Sequence, residues 1–75
     1  MNKQRREQIS QAAAQIRGAV EILNAAKDEE QEYFDNMPES SQSGEKGSAA
    51  EEAISNLDSA IESANEAADY AEGIE

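Results

Sequence analysis

The sequence predicts an all-α fold: an antiparallel two-helix hairpin, in effect an alanine-rich coiled coil, expected to dimerise into a four-helix bundle. Three observations predict it. Apolar residues recur at heptad spacing in two long runs. Between the runs lies a short stretch holding the only proline, and charge is distributed very unevenly from one end of the chain to the other.

The first run sets a helix over residues 4–34. Ile9, Ile16 and Leu23 stand seven apart, and Ala12, Ala19, Ala26 and Tyr33 stand seven apart between them. The seam of this helix centres on Ile9, Ile16, Val20 and Leu23, with Phe34 closing it. A loop over 35–47 follows, in which Pro38, Gly44, Gly47 and a cluster of serines punctuate the chain. Loops of that length are commonly functional or mobile. Ser48 with Glu51 three residues later has the form of a capping box, which places the second helix over 48–74. Its columns are Ala50, Leu57, Ala64 and Ala71, then Ala53, Ala60, Ala67 and Ile74, with Ile54, Ile61 and Ala68 alongside. Alanine has the best helix propensity and leaves little bulk between backbones, so two such helices can approach closely.

Charge favours folding back. Lys3, Arg5 and Arg6 sit at the positive end of the first helix dipole, and Asp69, Glu72 and Glu75 at the negative end of the second. Each cluster is locally unfavourable, and an antiparallel hairpin is expected to set them side by side. Residues 1 to 18 hold four bases and one acid, whereas 47 to 75 hold eight acids and no base.

Composition excludes several classes. Seventy-five residues make at most one domain, with too little interior for an enclosed active site. Without Cys or His there is no disulfide and no zinc or Cys/His catalytic centre, and no metal or cofactor is expected. No nucleophile motif, glycine-rich phosphate loop or basic nucleic-acid patch is present, so the chain is expected not to be an enzyme. No apolar run nears the ~20 residues of a membrane span, and the basic start MNKQRR precedes no apolar stretch, so a cytoplasmic location is expected. A net charge of −11 disfavours nucleic acid and anionic membrane, and points to a protein partner with a basic surface. Such a charge is also near that of disordered chains, and the heptad periodicity argues for the folded alternative.

Three surfaces remain once the hairpin closes. On the first helix, Ala14, Gly18, Ile22 and Ala25 fall opposite the seam and are the expected self-association face. On the second, Glu51, Asp58, Glu62, Glu66 and Asp69 form a one-sign stripe over roughly 27 Å, with no Lys or Arg after Lys46. The plain reading of that stripe is a solvated face. The sharper one is a partner-binding surface or a decoy for a DNA-binding protein. The third is DEEQEYFDNMPE, residues 28–39, where Tyr33 and Met37 are candidate contacts among six carboxylates. Asp28, Glu30, Glu32, Asp35 and Glu39 lack the EF-hand glycine and spacing, so no calcium site is expected.

The segment DEEQEYFDNMPESSQSGEK, followed by the acidic helix AEEAISNLDSAIESA, resembles a family of small, acidic, mostly uncharacterised phage and prophage proteins. The likeness spans about residue 20 to the end, and its distinctive part is 28–46. Where that family commonly carries Leu and Arg, this chain has Ser41 and Lys46. The resemblance implies a phage accessory role in the host-cell cytoplasm, with no activity and no catalytic or ligand-binding residues to carry over. Two classes of function follow. One is a protein that binds, and inhibits or redirects, a host or phage protein such as a nuclease, defence component or transcription factor. The other is a structural or assembly element whose self-association is its role.

Overall fold

A computed structural model describes all 75 residues, as two long helices and one short one: α1 (Lys3–Asp35), α2 (Glu39–Gln42) and α3 (Glu45–Glu72). α1 and α3 pack against each other as an antiparallel hairpin 58 Å long and 14 by 12 Å across. α1 starts one residue earlier than the periodicity suggests, because the Asn2 side chain accepts a hydrogen bond from the Arg5 backbone N–H at 2.8 Å and caps the first turn.

The two helices meet along one heptad seam. On α1 it runs through Ile9, Ala13, Ile16, Val20, Leu23, Lys27, Glu30 and Phe34, alternately four and three residues apart. On α3 it runs through Gly47, Ala50, Ile54, Leu57, Ile61, Ala64, Ala68 and Ala71. All sixteen are buried or half-buried. In the register set by Lys27 with Asp58, large α1 side chains lie level with small ones on α3 toward the termini. Phe34 lies level with the Ala50 region at the corner, and Ile54 and Leu57 lie level with the Lys27 to Glu30 stretch. The long Lys27 stem can lie over apolar surface there while its ammonium reaches out.

Two of the predicted columns are not in this seam. Ala12, Ala19, Ala26 and Tyr33 on α1 are exposed, and so are Ala60, Ala67 and Ile74 on α3, with only Ala53 half-buried. The second seam columns are instead Ala13, Val20, Lys27 and Phe34, and Gly47, Ile54, Ile61 and Ala68. The physical reason is bulk. A column of alanines with one tyrosine buries less apolar area than one carrying Val20, Phe34 and the Lys27 stem, so the hairpin closes on the latter.

The corner also differs from a plain loop over 35–47. Pro38 ends α1, since its ring disfavours helical geometry in the residue before it, and its carbonyl then accepts from the N–H groups of Ser41 and Gln42 to start α2. The Gln42 side-chain amide donates to the Phe34 carbonyl at 3.0 Å, tying α2 back to the end of α1. α3 begins at Glu45 with Gly44 as its cap, three residues before the predicted start. The Ser48–Glu51 capping box does not form, because the Ser48 N–H is already bonded to the Gly44 carbonyl at 3.0 Å within the helix. Gly47 explains the early start. It is buried in the first turn against the backbone of Gln42, where any Cβ would overlap the Gln42 carbonyl.

Gly18 is the opposite case, since a Cβ there would meet nothing within 4 Å. Two substitutions therefore carry opposite expectations in urea or thermal unfolding. Gly47→Ala should destabilise the hairpin by about 1 to 3 kcal/mol through a forced backbone shift. Gly18→Ala should stabilise it by about 1 kcal/mol through helix propensity alone. Equal effects of the two would contradict the corner geometry.

Candidate functional site

Two groups of ion pairs join the long helices along one flank of the seam and set the charge pattern of the surface. Arg17 of α1 spreads its guanidinium over three side chains of α3. Its Nε and Nη2 donate to the Glu72 carboxylate at 3.1 and 2.8 Å, Nη2 also reaches Asp69 Oδ1 at 2.6 Å, and Nη1 reaches Asn65 Oδ1 at 2.9 Å. Ten residues along α1, the Lys27 ammonium stands 2.5 Å from Asp58. The planar, multidentate pairing of Arg17 fixes register as well as charge.

These contacts perturb the groups that make them. Its hydrogen bonds to the Glu72 and then the Asp69 carboxylate hold Arg17 still more firmly protonated. The Asp58 contact raises Lys27, and the Arg17 guanidinium draws Glu72 below its ordinary value.

The expected meeting of Lys3, Arg5 and Arg6 with Asp69, Glu72 and Glu75 does not occur. The ion pairs of the hairpin involve Arg17 and Lys27 alone. Register is the reason. With Arg17 level with Asp69, and Lys27 with Asp58, the end of the chain at Glu75 falls level with about residue 11, and the first two turns of α1 overhang it. Arg17, a residue the sequence pattern did not single out, takes both carboxylates. Lys27 could have been found, because it stands seven residues after Val20 in a column otherwise apolar.

All five carboxylates of the predicted stripe, Glu51, Asp58, Glu62, Glu66 and Asp69, are exposed on α3. Asp58 and Asp69 are engaged with Lys27 and Arg17, although 54% and 72% of their side chains still face solvent. Glu51, Glu62 and Glu66 make no ion pair. No group of three or more His, Cys, Asp or Glu is placed to hold a metal ion.

Tyr33 is exposed and Met37 half-buried. Together with Asn36, Pro38, Ser41 and Lys46 they line an open cleft of about 380 Å³ at the corner. Ala14, Gly18, Ile22 and Ala25 are exposed on the side of α1 away from α3, and Ile22, like Tyr70, is 72% exposed. No helix is long and apolar enough to cross a membrane. No family model, no curated protein and no solved structure matches the chain.

The Arg17 contacts make stability pH-dependent in a defined direction. Glu72 titrates lower in the folded hairpin than in the unfolded chain, so its contribution is complete above the ordinary carboxylate value of 4.5 and is lost as pH falls below it. Arg17→Met should lower the thermal midpoint at pH 7, and the difference from the parent should shrink at pH 3. An unchanged difference at the two pH values would count against the contact.

Proposed function

We propose that the protein is a non-enzymatic phage accessory protein of the host-cell cytoplasm that binds a host or phage protein of basic surface through the acidic flank of α3. One observation carries this reading: Glu51, Glu62 and Glu66 stand exposed and unpaired beside Asp58 and Asp69, on a helix with no base after Lys46. A row of fixed carboxylates on a stiff helix presents one-sign charge at defined spacing, as a cationic groove requires. A nucleic-acid-binding or defence protein is the partner class such a decoy suits. Met37 at the corner cleft adds an apolar contact to the same molecule, whereas Tyr33 lies across the seam with the exposed alanines.

Binding rather than catalysis fits the burial pattern. No charged or polar side chain is buried, so no carboxylate has the desolvated setting that raises a pKa for acid–base work.

A second reading, in which self-association of the hairpin is the role, is favoured by its thin core. Val20 is the one large apolar side chain among the buried residues, the others being Ala13, Gly47, Ala50 and Ala68. Chains of this size with so little buried usually gain stability from a partner copy, and a four-helix-bundle dimer is the natural form.

Affinity capture from host and infected-cell lysates tests the first reading. Glu62→Lys with Glu66→Lys should abolish capture of the partner, and about 0.5 M salt should release it from the parent protein. Capture that survives both would refute an electrostatic interface and favour the assembly role.

A further inference from the structure

The seam divides the hairpin surface into two flanks with opposite character. Arg17 meets Asp69 and Glu72 on one flank, where Asp58 and Glu62 also lie. Helical geometry puts the exposed Ala12, Ala19 and Ala26 across the seam from Arg17 on α1, and Ala60 and Ala67 across the seam from Asp69 on α3. In an antiparallel pair these two columns share the other flank. Between Arg5 and Glu29 on α1, and between Lys46 and Glu75 on α3, that flank carries no charge, in a chain with 23 charged residues. Tyr33 and Ile74, exposed by 52% and 49%, end its two columns, and Ile22 edges it.

We propose that this flank binds a second copy of the chain about a two-fold axis passing through Ala19 and Ala67, with the hairpins antiparallel, corner to termini. This geometry rests on the self-association proposed above and moves it from the Ala14, Gly18, Ile22 and Ala25 face to the neighbouring one. Four observations converge on that axis. Ala19 is the midpoint of α1, Lys3–Asp35. In the register set by Arg17 with Asp69 and Lys27 with Asp58, Ala67 lies level with Ala19, so one axis serves both helices. About that axis the α1 column Arg5, Ala12, Ala19, Ala26, Tyr33 is self-complementary, with Ala12 over Ala26 of the other copy and the Arg5 guanidinium over the Tyr33 ring. On α3, Ala60 receives Ile74, small against large.

Charge complementarity identifies the occupant as a copy of this chain. Two molecules of net charge −11 repel wherever their acidic flanks meet, and this face is where they can approach without opposing carboxylates. The same two-fold sets the overhanging Lys3, Arg5 and Arg6, which pair with nothing in the hairpin, alongside the acidic run Asp28 to Asp35 at the other copy's corner. A loop-to-loop arrangement would instead bring the two acidic runs together. About this axis α1 pairs along its whole length, and α3 pairs from Ala60 to Ile74.

Absence of cysteine makes single-cysteine variants a clean probe. Ala19→Cys and Ala67→Cys should each form a disulfide-linked dimer on mild oxidation, at least about tenfold faster than Ala14→Cys, since only residues near the axis come within disulfide reach. A mixture of Ala12→Cys and Ala26→Cys should give the mixed dimer in preference to either self-linked one. Sedimentation of the parent protein should show a dimer, and Ala19→Glu with Ala67→Glu should convert it to a helical monomer. Faster linking of Ala14→Cys, or preferential linking of Ala19→Cys to Ala67→Cys, overturns the two-fold while leaving self-association standing. A monomer at about 100 µM parent protein overturns both.

Discussion

Eight heptad positions on each long helix hold this chain together, and the strictness of their spacing governs everything on its surface. A straight α-helix drifts ~20° per heptad against a seven-residue repeat. Over the length of α1 that drift would scatter any column of residues around the helix. Because the seam is kept at alternating three- and four-residue steps from Ile9 to Phe34 and from Gly47 to Ala71, the helices must coil about each other, and each column stays on one flank throughout. The acidic row of α3 and the alanine rows of both helices are thereby sorted to opposite sides.

The architecture was largely legible in the sequence because helix periodicity survives any choice of seam. Both helices, the antiparallel pairing and the punctuation at Pro38 and Gly44 follow from spacing and turn chemistry. What the sequence left ambiguous was which alanines are inside. Each helix offers three heptad columns, and Ala12 and Ala13, or Ala67 and Ala68, are chemically identical neighbours 100° apart on the wheel. Only the company each column keeps, Val20 and Phe34 on α1 and Ile54 and Ile61 on α3, decides between them. The corner was illegible for a different reason. Ser48 and Glu51 satisfy the local capping rule, but Gly47 packed on Gln42 is a tertiary constraint that no local signal at Ser48 expresses.

The acidic surface was placed correctly as exposed, yet the cations that organise it were not the expected ones. The basic tip of α1 is prominent in the sequence because three cations crowd into four residues, whereas Arg17 stands alone between Ile16 and Gly18. Register, a property of both helices at once, brings the lone arginine to Asp69 and Glu72 and leaves the prominent cluster overhanging. Local charge density is a poor guide to pairing when a shift of two turns separates one alignment from another. The result is a flank whose carboxylates are partly held by Arg17 and Lys27 and partly free, a spaced pattern of negative charge on a rigid support.

The corner has a bearing on topology. Chains of this type can exchange a helix with a neighbour by opening the connection into a continuous rod, a route to intertwined dimers that needs a pliant hinge. Here the connection is folded upon itself, with the Gln42 side chain bonded to the Phe34 carbonyl and the Gln42 backbone seated where Gly47 leaves room for it. Swapping α3 between two molecules would break both contacts in each of them and recover neither in an extended rod. The folded corner therefore favours the intact hairpin over an exchanged helix.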